Sequence, residues 1–153
     1  YYLDSMRATL HRQTMFAEFE YEAHAMAERE EPLTKEKLCK LYAEIGKKYY
    51  GDAIEHDYNI STEWTRIPHF YNAFYVYKYS TGIISAINIA NRILTEGESA
   101  VKDYFKFLSG GSSTDPVSLL KLAGVDLTKQ QPFDFAMQEF DKTLTEFEKL
   151  MGI

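Results

Sequence analysis

The stretch NAFYVYKYSTGIISAINIANRILTE, residues 72–96, decides the fold class of this chain. It opens with aromatic residues and continues with Ile83, Ile87 and Leu94, at steps of four and seven residues. This spacing places the apolar side chains on one face of an α-helix, whereas a half-buried strand would alternate with a period of two. The stretch therefore predicts a long amphipathic helix that is terminated by Gly97.

The same helical period recurs along the rest of the chain, and no stretch alternates convincingly as a strand. Capping signals bound several segments: Thr34 precedes one helix and Gly51 follows it, and Asp115-Pro116 starts another. The other predicted helices are residues 3–30, 35–50, 99–108, 116–123 and 133–151, with residues 52–68 as a loop. The sequence thus predicts an all-α protein, a multi-helix bundle of about six helices with negligible sheet. We expect residues 1–153 to form a single helical domain.

Composition argues against several classes of protein. The 153 residues carry a formal net charge of −6 and a pI near 5.2, so no nucleic-acid partner is expected. The single Cys39 excludes an internal disulfide framework and fits a reducing, cytoplasmic compartment. No run approaches the roughly 20 apolar residues that span a bilayer, so no membrane partner is expected. The first residue is not Met and lies within a helical pattern, which predicts a piece of a longer polypeptide.

One helical stripe carries metal-binding residue types. Glu20, His24 and Glu28 lie at positions i, i+4 and i+8 and share one face of the first predicted helix. Three ligands stacked on one helix cannot surround a zinc ion tetrahedrally, so we expect a solvated helix face instead. His11 and His56 have no partner pattern and are expected to be structural or surface residues. The sequence therefore predicts no metal ligand in this chain.

Residues 64–82 are rich in tyrosine. Four tyrosines fall within nine residues, which is more hydroxyl than a core usually holds, because each buried phenol needs a hydrogen-bond partner. On a continuous helix, Tyr71, Tyr75 and Tyr79 would form one stripe. A packed aromatic helix face is then the structural interpretation of this segment.

A second interpretation places a loop before the helix. If Asn72 is the N-cap, His69 and Tyr71 lie in that loop and Tyr77 lies in the early turns of the helix. The three side chains can then converge on one cleft. Neutral phenols and an imidazole donate hydrogen bonds to an oxyanion, so this arrangement is typical of a catalytic site.

Two motifs resemble one enzyme family. Residues 66–82, RIPHFYNAFYVYKYSTG, closely resemble the signature near the C-terminus of oligoendopeptidase F, and residues 12–20, RQTMFAEFE, resemble a helix that follows its zinc-binding region. The resemblance runs over essentially the whole chain. It implies the all-helical C-terminal domain of a zinc oligopeptidase that hydrolyses short peptides. Zinc in that family is bound by a His-Glu-x-x-His motif and a glutamate that precede the matched region, so the resemblance implies zinc held by residues outside this chain.

The resemblance also assigns roles to individual residues. His69 matches the histidine that approaches the substrate carbonyl, and Tyr77 matches the tyrosine that stabilises the tetrahedral oxyanion. Tyr71 is the next candidate for a substrate hydrogen bond, and Tyr75 exchanges roles with Tyr71 or Tyr77 if the alignment shifts. Arg66 either meets a peptide carboxylate or forms a structural ion pair, and general experience favours the ion pair.

Two functions follow from these observations. The first is a zinc metalloendopeptidase in the full-length protein, whose other domains are partners of this chain, which alone is expected to be inactive. The alternative is a non-catalytic helical binding or scaffold module whose aromatic helix packs against a partner domain.

Overall fold

The computed structural model describes residues 1–52, 54–55 and 57–153, and His56 lies outside them. Its elements are α1 (Tyr2–Met6), a π-helical segment (Arg7–His11), α2 (Arg12–Glu28), α3 (Lys35–Tyr50), α4 (Tyr58–Ser61), two 3-10 turns (Glu63–Arg66 and Pro68–Tyr71), α5 (Tyr77–Glu96), α6 (Glu98–Ser109), α7 (Pro116–Leu122) and α8 (Gln131–Met151). The described part of the chain contains no β-strand, and the predicted all-α, multi-helix fold is confirmed. Among the same residues, no helix combines the length and the apolar composition that crossing a bilayer requires.

The six predicted helices correspond to the helices of seven or more residues in the described part of the chain, namely α2, α3, α5, α6, α7 and α8. Two of the predicted helices differ most from the structure. Helix α5 begins at Tyr77 rather than at Asn72, because Phe74 has a φ of 56°, a left-handed conformation that an α-helix does not accommodate. The first predicted helix, residues 3–30, is interrupted by the π-helical segment, and α2 ends at Glu28.

Helix starts follow the capping signals of the sequence. The Thr34 hydroxyl accepts a hydrogen bond from the backbone N–H of Lys37 at 3.3 Å at the start of α3. At the start of α7, the Asp115 carboxylate accepts one from Ser118 at 2.9 Å. Each cap satisfies a backbone donor that has no partner within the helix, which is why these boundaries are readable from sequence.

The chain folds as two compact units: a central unit, Arg7–Ser80, and a terminal unit formed by Tyr1–Met6 with Thr81–Ile153. Each unit has its own apolar cluster. The central cluster comprises Met15, Phe16, Phe19, Tyr42, Ile45 and Val76. The terminal cluster comprises Ile89, Ala123 and Val125, with Ile93, Tyr104, Phe107, Leu120 and Leu127 packed against it. The interpretation of residues 1–153 as a single domain stays a prediction.

In the terminal unit, Arg92 connects α5 to the end of α7. Its guanidinium donates to the carbonyl oxygen of Ala123 at 2.6 Å and pairs with Glu96 at 2.7 Å and Asp103 at 3.4 Å. Gly124 has a φ of 81° and lies against this guanidinium so closely that a Cβ at residue 124 would overlap it. The glycine therefore serves both a left-handed backbone conformation and the close approach of Arg92.

We expect Phe19→Ala to lower the free energy of unfolding by about 3–5 kcal/mol. Phe19 is 4% exposed, and its ring packs against Tyr42 and Phe70 at centroid distances of 5.2 and 5.5 Å, so truncation leaves a cavity. Phe105→Ala, at a side chain that is 60% exposed, is the control and should cost less than about 1 kcal/mol. Urea unfolding followed by circular dichroism measures both losses of stability. Equal losses in the two variants would show that Phe19 does not stabilise the core.

Candidate functional site

Residues 63–76, here called the connecting segment, join α4 to α5 and carry most of the residues that the sequence selected. The segment contains the two 3-10 turns and a tight turn, so it makes few regular backbone hydrogen bonds and depends on packing against α2. The Trp64 and Phe70 rings lie 6.0 and 5.5 Å from the ring of Phe19, centroid to centroid. Phe70 also contacts Phe16 edge-on at 5.9 Å. These contacts hold the segment against the central apolar cluster.

A carboxylate network holds the start of the connecting segment. Glu63 accepts hydrogen bonds at Oε1 from Arg12 at 2.6 Å and from Arg66 at 2.7 Å, and at Oε2 from the Tyr42 hydroxyl at 2.8 Å. Burial alone would raise the pKa of Glu63, but the hydrogen bonds from Arg12 and Tyr42 outweigh burial and hold this pKa below its usual value. The ionised carboxylate is therefore the form that the folded protein favours.

A second carboxyl group holds the end of the connecting segment. Glu20 on α2 accepts a hydrogen bond at Oε1 from the backbone N–H of Phe74 at 2.8 Å. The Phe74 ring lies 4.6 Å from the ring of His24, one helical turn further along α2. Phe74 is the left-handed residue that precedes α5, and a non-glycine residue keeps this conformation only where its surroundings enforce it. The Glu20 bond and the His24 contact supply that enforcement.

This placement corrects the expectation for the Glu20, His24 and Glu28 stripe. Glu20 is only 4% exposed, so the stripe is not a solvated face along its whole length. The carboxyl group is buried because it serves a backbone donor from a segment 54 residues later in the sequence. Helical spacing alone gives no signal for such a distant partner.

His69 lies in the second 3-10 turn and contacts two tyrosines. Its Nε2 lies 3.1 Å from the Tyr79 hydroxyl, and its ring stacks on Tyr75 at 5.9 Å. The Tyr75 and Tyr79 rings also meet edge-on at 5.6 Å. The contact with Tyr75 raises the pKa of Tyr79 above its ordinary value, so this phenol stays protonated near neutral pH. We call His69, Tyr75 and Tyr79 the His–Tyr cluster.

The other predicted site residues lie elsewhere in the central unit. Tyr71 is 89% exposed at the rim of a cavity of about 240 Å³ that is lined by Trp64 and other apolar residues. Tyr77 is the first residue of α5 and is 49% exposed. Arg66 forms the ion pair with Glu63 described above. Of the five predicted residues, the structure brings His69 and Tyr75 into ring contact.

The sequence analysis did not identify two residues that form hydrogen bonds at the site. Tyr79 was noted only as part of a helical stripe, yet it is the hydrogen-bond partner of His69. No sequence signal points to this contact, because it depends on the turn before α5, which contains neither glycine nor proline. Glu20 is the other, and the sequence gives no signal for its role, because its hydrogen-bond donor, the N–H of Phe74, lies 54 residues later.

This arrangement can supply hydrogen-bond donors. The exposed phenols of Tyr71 and Tyr77 and the half-buried imidazole of His69 are groups that stabilise developing negative charge on an oxygen. In the described part of the chain, no group of three or more His, Cys, Asp or Glu side chains could hold a metal ion.

Comparison with known proteins places these residues in context. The family model described as "Peptidase family M3" matches residues 2–139. Oligopeptidase PepF of Bacillus subtilis (strain 168) is 47% identical over 149 residues, which cover 97% of this chain and 22% of that protein. An oligoendopeptidase F homolog of Borreliella burgdorferi is 44% identical over 148 residues, which cover 97% of this chain and 25% of that protein.

A solved structure agrees with these sequence matches. The crystal structure of oligoendopeptidase-F from Enterococcus faecium is similar to this chain with a TM-score of 0.94 and 44% sequence identity. The similarity covers 99% of this chain and 29% of that one. The chain therefore spans about a quarter of the length of the curated relatives it matches.

Glu63→Gln should make the free energy of unfolding less dependent on pH in acid. Because the folded pKa of Glu63 lies below the unfolded value of about 4.3, its stabilisation is present above that value and is lost as pH falls through the folded pKa. The glutamine variant lacks this titration. Urea unfolding at about pH 7, 5 and 3 measures the difference. Glu44→Gln, at a carboxylate that is 64% exposed, is the control. If the free energy of unfolding of the Glu63 variant falls as steeply in acid as that of the wild type, the network is refuted.

Glu20→Ala should lower the free energy of unfolding by about 1–3 kcal/mol, because it removes the acceptor of the partly buried hydrogen bond from the Phe74 N–H. Glu20→Gln retains an acceptor oxygen and should lose less. Glu28→Ala, on the same stripe but exposed, is the matched control. Hydrogen exchange of the Phe74 amide gives a local readout, and unchanged protection in Glu20→Ala would show that the bond does not hold the turn.

Proposed function

The chain belongs to peptidase family M3, and we propose that it is the C-terminal helical part of a cytoplasmic zinc oligopeptidase that hydrolyses short peptides. The observation that carries the proposal is the family match over residues 2–139. Relatives at 44–47% identity that bear oligopeptidase names support it. Because these relatives are about four times as long as the matched region, the partners in this proposal are a short peptide and the remaining domains of the same polypeptide. Family membership favours this function over a non-catalytic scaffold.

Zinc in this proposal is bound by residues outside this chain. The described residues do not fit a zinc site, because no group of metal-binding side chains comes together among them. The steps assigned below therefore belong only to hydrogen-bond donors of the central unit. For the same reason, we expect this chain alone to be inactive.

Peptide hydrolysis needs hydrogen-bond donors at the oxygen of the scissile carbonyl. When the scissile carbonyl is attacked, its oxygen gains negative charge, and donors that are already positioned there stabilise the transition state more than the substrate. We assign this role to the Tyr77 hydroxyl and to His69. Tyr77 is the exposed first residue of α5, and a phenol is a hydrogen-bond donor near neutral pH.

The His–Tyr cluster orients the imidazole in this proposal. When Nε2 of His69 accepts from the Tyr79 hydroxyl, the proton lies on Nδ1, which is then the donor available to substrate. Ring contact with Tyr75 limits rotation of the imidazole. Tyr71 and Arg66, both largely exposed, are assigned to peptide binding, and Tyr75 is the alternative to Tyr71 or Tyr77.

In the complete enzyme, Tyr77→Phe should lower kcat by about 10²–10³-fold with little change in KM, because it removes one donor that acts mainly in the transition state. Steady-state hydrolysis of a fluorogenic peptide by the full polypeptide measures both constants. Tyr71→Phe and Tyr75→Phe should affect KM more than kcat.

Tyr21→Phe is the matched control, since Tyr21 is 64% exposed on α2 and has no role in the proposal. Its kcat should equal that of the wild type. A Tyr77→Phe enzyme with wild-type kcat would exclude Tyr77 as the donor, and a large kcat loss in Tyr75→Phe instead would transfer the role to Tyr75.

A further inference from the structure

A cavity of about 380 Å³ in the central unit has a concentration of positive charge. The charged residues among its described lining are Arg7, Arg12, Arg66 and Glu63. Their formal charges sum to +2, in a chain whose net charge is −6. Because Arg7 and Arg66 are exposed to solvent, this local excess of positive charge creates a positive potential that attracts anions.

Glu63 neutralises only part of this charge. Arg12 and Arg66 each use one terminal nitrogen on the same oxygen of Glu63, at 2.6 and 2.7 Å. A guanidinium has five N–H donors, so both side chains keep donors that this carboxylate does not use. Within the part of the chain that the structure describes, Arg7 has no ion pair. The N–H donors of Arg7 and the remaining N–H donors of Arg12 and Arg66 can therefore bind a ligand in this cavity.

Two of the three arginines are held by contacts within the protein, although Arg66 is 75% exposed. Arg12 is only 30% exposed, and its guanidinium lies over the Phe16 ring at 4.6 Å from the centroid. Glu63, 12% exposed, fixes the positions of Arg12 and Arg66 relative to each other. Two arginines held in this way are oriented before any ligand arrives, which lowers the entropy lost on binding.

The rest of the lining is compatible with a peptide. Met15, Ile54 and Ile60 line the same cavity and can contact an apolar side chain. A volume of about 380 Å³ lies within the range of pockets that accommodate small ligands. Planar guanidinium groups match the two oxygens of a carboxylate, which every unmodified peptide carries at its C-terminus.

We propose that the cavity formed around Arg7, Arg12 and Arg66 binds the C-terminal carboxylate of a short peptide. This inference rests on the proposed function for the identity of the ligand. It adds Arg7 and Arg12 to Arg66 as residues that bind the peptide. A site that captures the terminal carboxylate selects peptides with a free C-terminus over longer or blocked chains that cannot place a charge there.

The test is equilibrium binding to the complete polypeptide. The probes are the acetylated tripeptide alanyl-alanyl-leucine with a free C-terminus and the same tripeptide as a C-terminal amide, titrated by calorimetry and recovered intact by mass spectrometry. The free acid should bind about tenfold more tightly than the amide, as expected for hydrogen bonds to a charged group. Equal binding of acid and amide by the wild-type protein would overturn the proposal without any variant.

Variants then locate the carboxylate. Arg7→Gln leaves the Glu63 network intact and should reduce the preference for the free acid to below about threefold. Arg66→Gln removes one of the two arginines that pair with Glu63 and should reduce the preference to the same extent. Arg29→Gln is the control, because Arg29 pairs with Glu31 outside the cavity lining. An undiminished preference in both cavity variants would place the carboxylate elsewhere and refute the site.

Two further readouts separate the competing outcomes. A tripeptide amide that contains one glutamate should bind like the uncharged amide, and binding equal to that of the free acid would refute the C-terminal assignment. Hydrolysis of a longer peptide is measured on the same preparations. If hydrolysis is absent while the acid preference and its loss in Arg7→Gln remain, the proposed function fails and the carboxylate site stands.

Discussion

The hydrogen bond from the Phe74 backbone to the buried Glu20 carboxyl group is the constraint on which the rest of the central unit depends. It holds a left-handed residue at the end of the connecting segment and so fixes where α5 begins. The start of α5 in turn places Tyr77 and Tyr79 in its first turn, opposite the 3-10 turn that carries His69. A regular helix, α2, thereby gives a definite geometry to a segment that has little regular structure of its own.

Much of the fold could be predicted from the sequence because its signals are local. Thr34 and Asp115 cap helices through backbone donors three residues away, and the helical period of apolar residues needs no knowledge of distant partners. The start of α5 could not be predicted in the same way. The sequence NAFYVY has no glycine or proline to mark a turn, and the conformation of Phe74 is set by Glu20, which lies 54 residues earlier.

The candidate site could likewise be predicted only in part from the sequence. A sequence motif and a family resemblance select His69 and the tyrosines around it as residue types suited to stabilising an oxyanion. They do not specify that Tyr79 is the partner of His69, because that contact depends on how the chain reverses before α5. The Arg12–Glu63 pair is similarly invisible in sequence, since its members are 51 residues apart and meet only after α2 and the connecting segment have packed. Local chemistry is readable, whereas pairing between distant segments is a property of the tertiary structure.

The contact between Gly124 and Arg92 has a consequence for how sequences with this fold can diverge. Any side chain at residue 124 would displace the guanidinium from the carbonyl oxygen of Ala123 and would also require a strained backbone. Replacement of Arg92 by a short residue removes the first obstacle but leaves the second. A substitution at residue 124 therefore carries two separate costs, and only the backbone strain is independent of which residue occupies position 92.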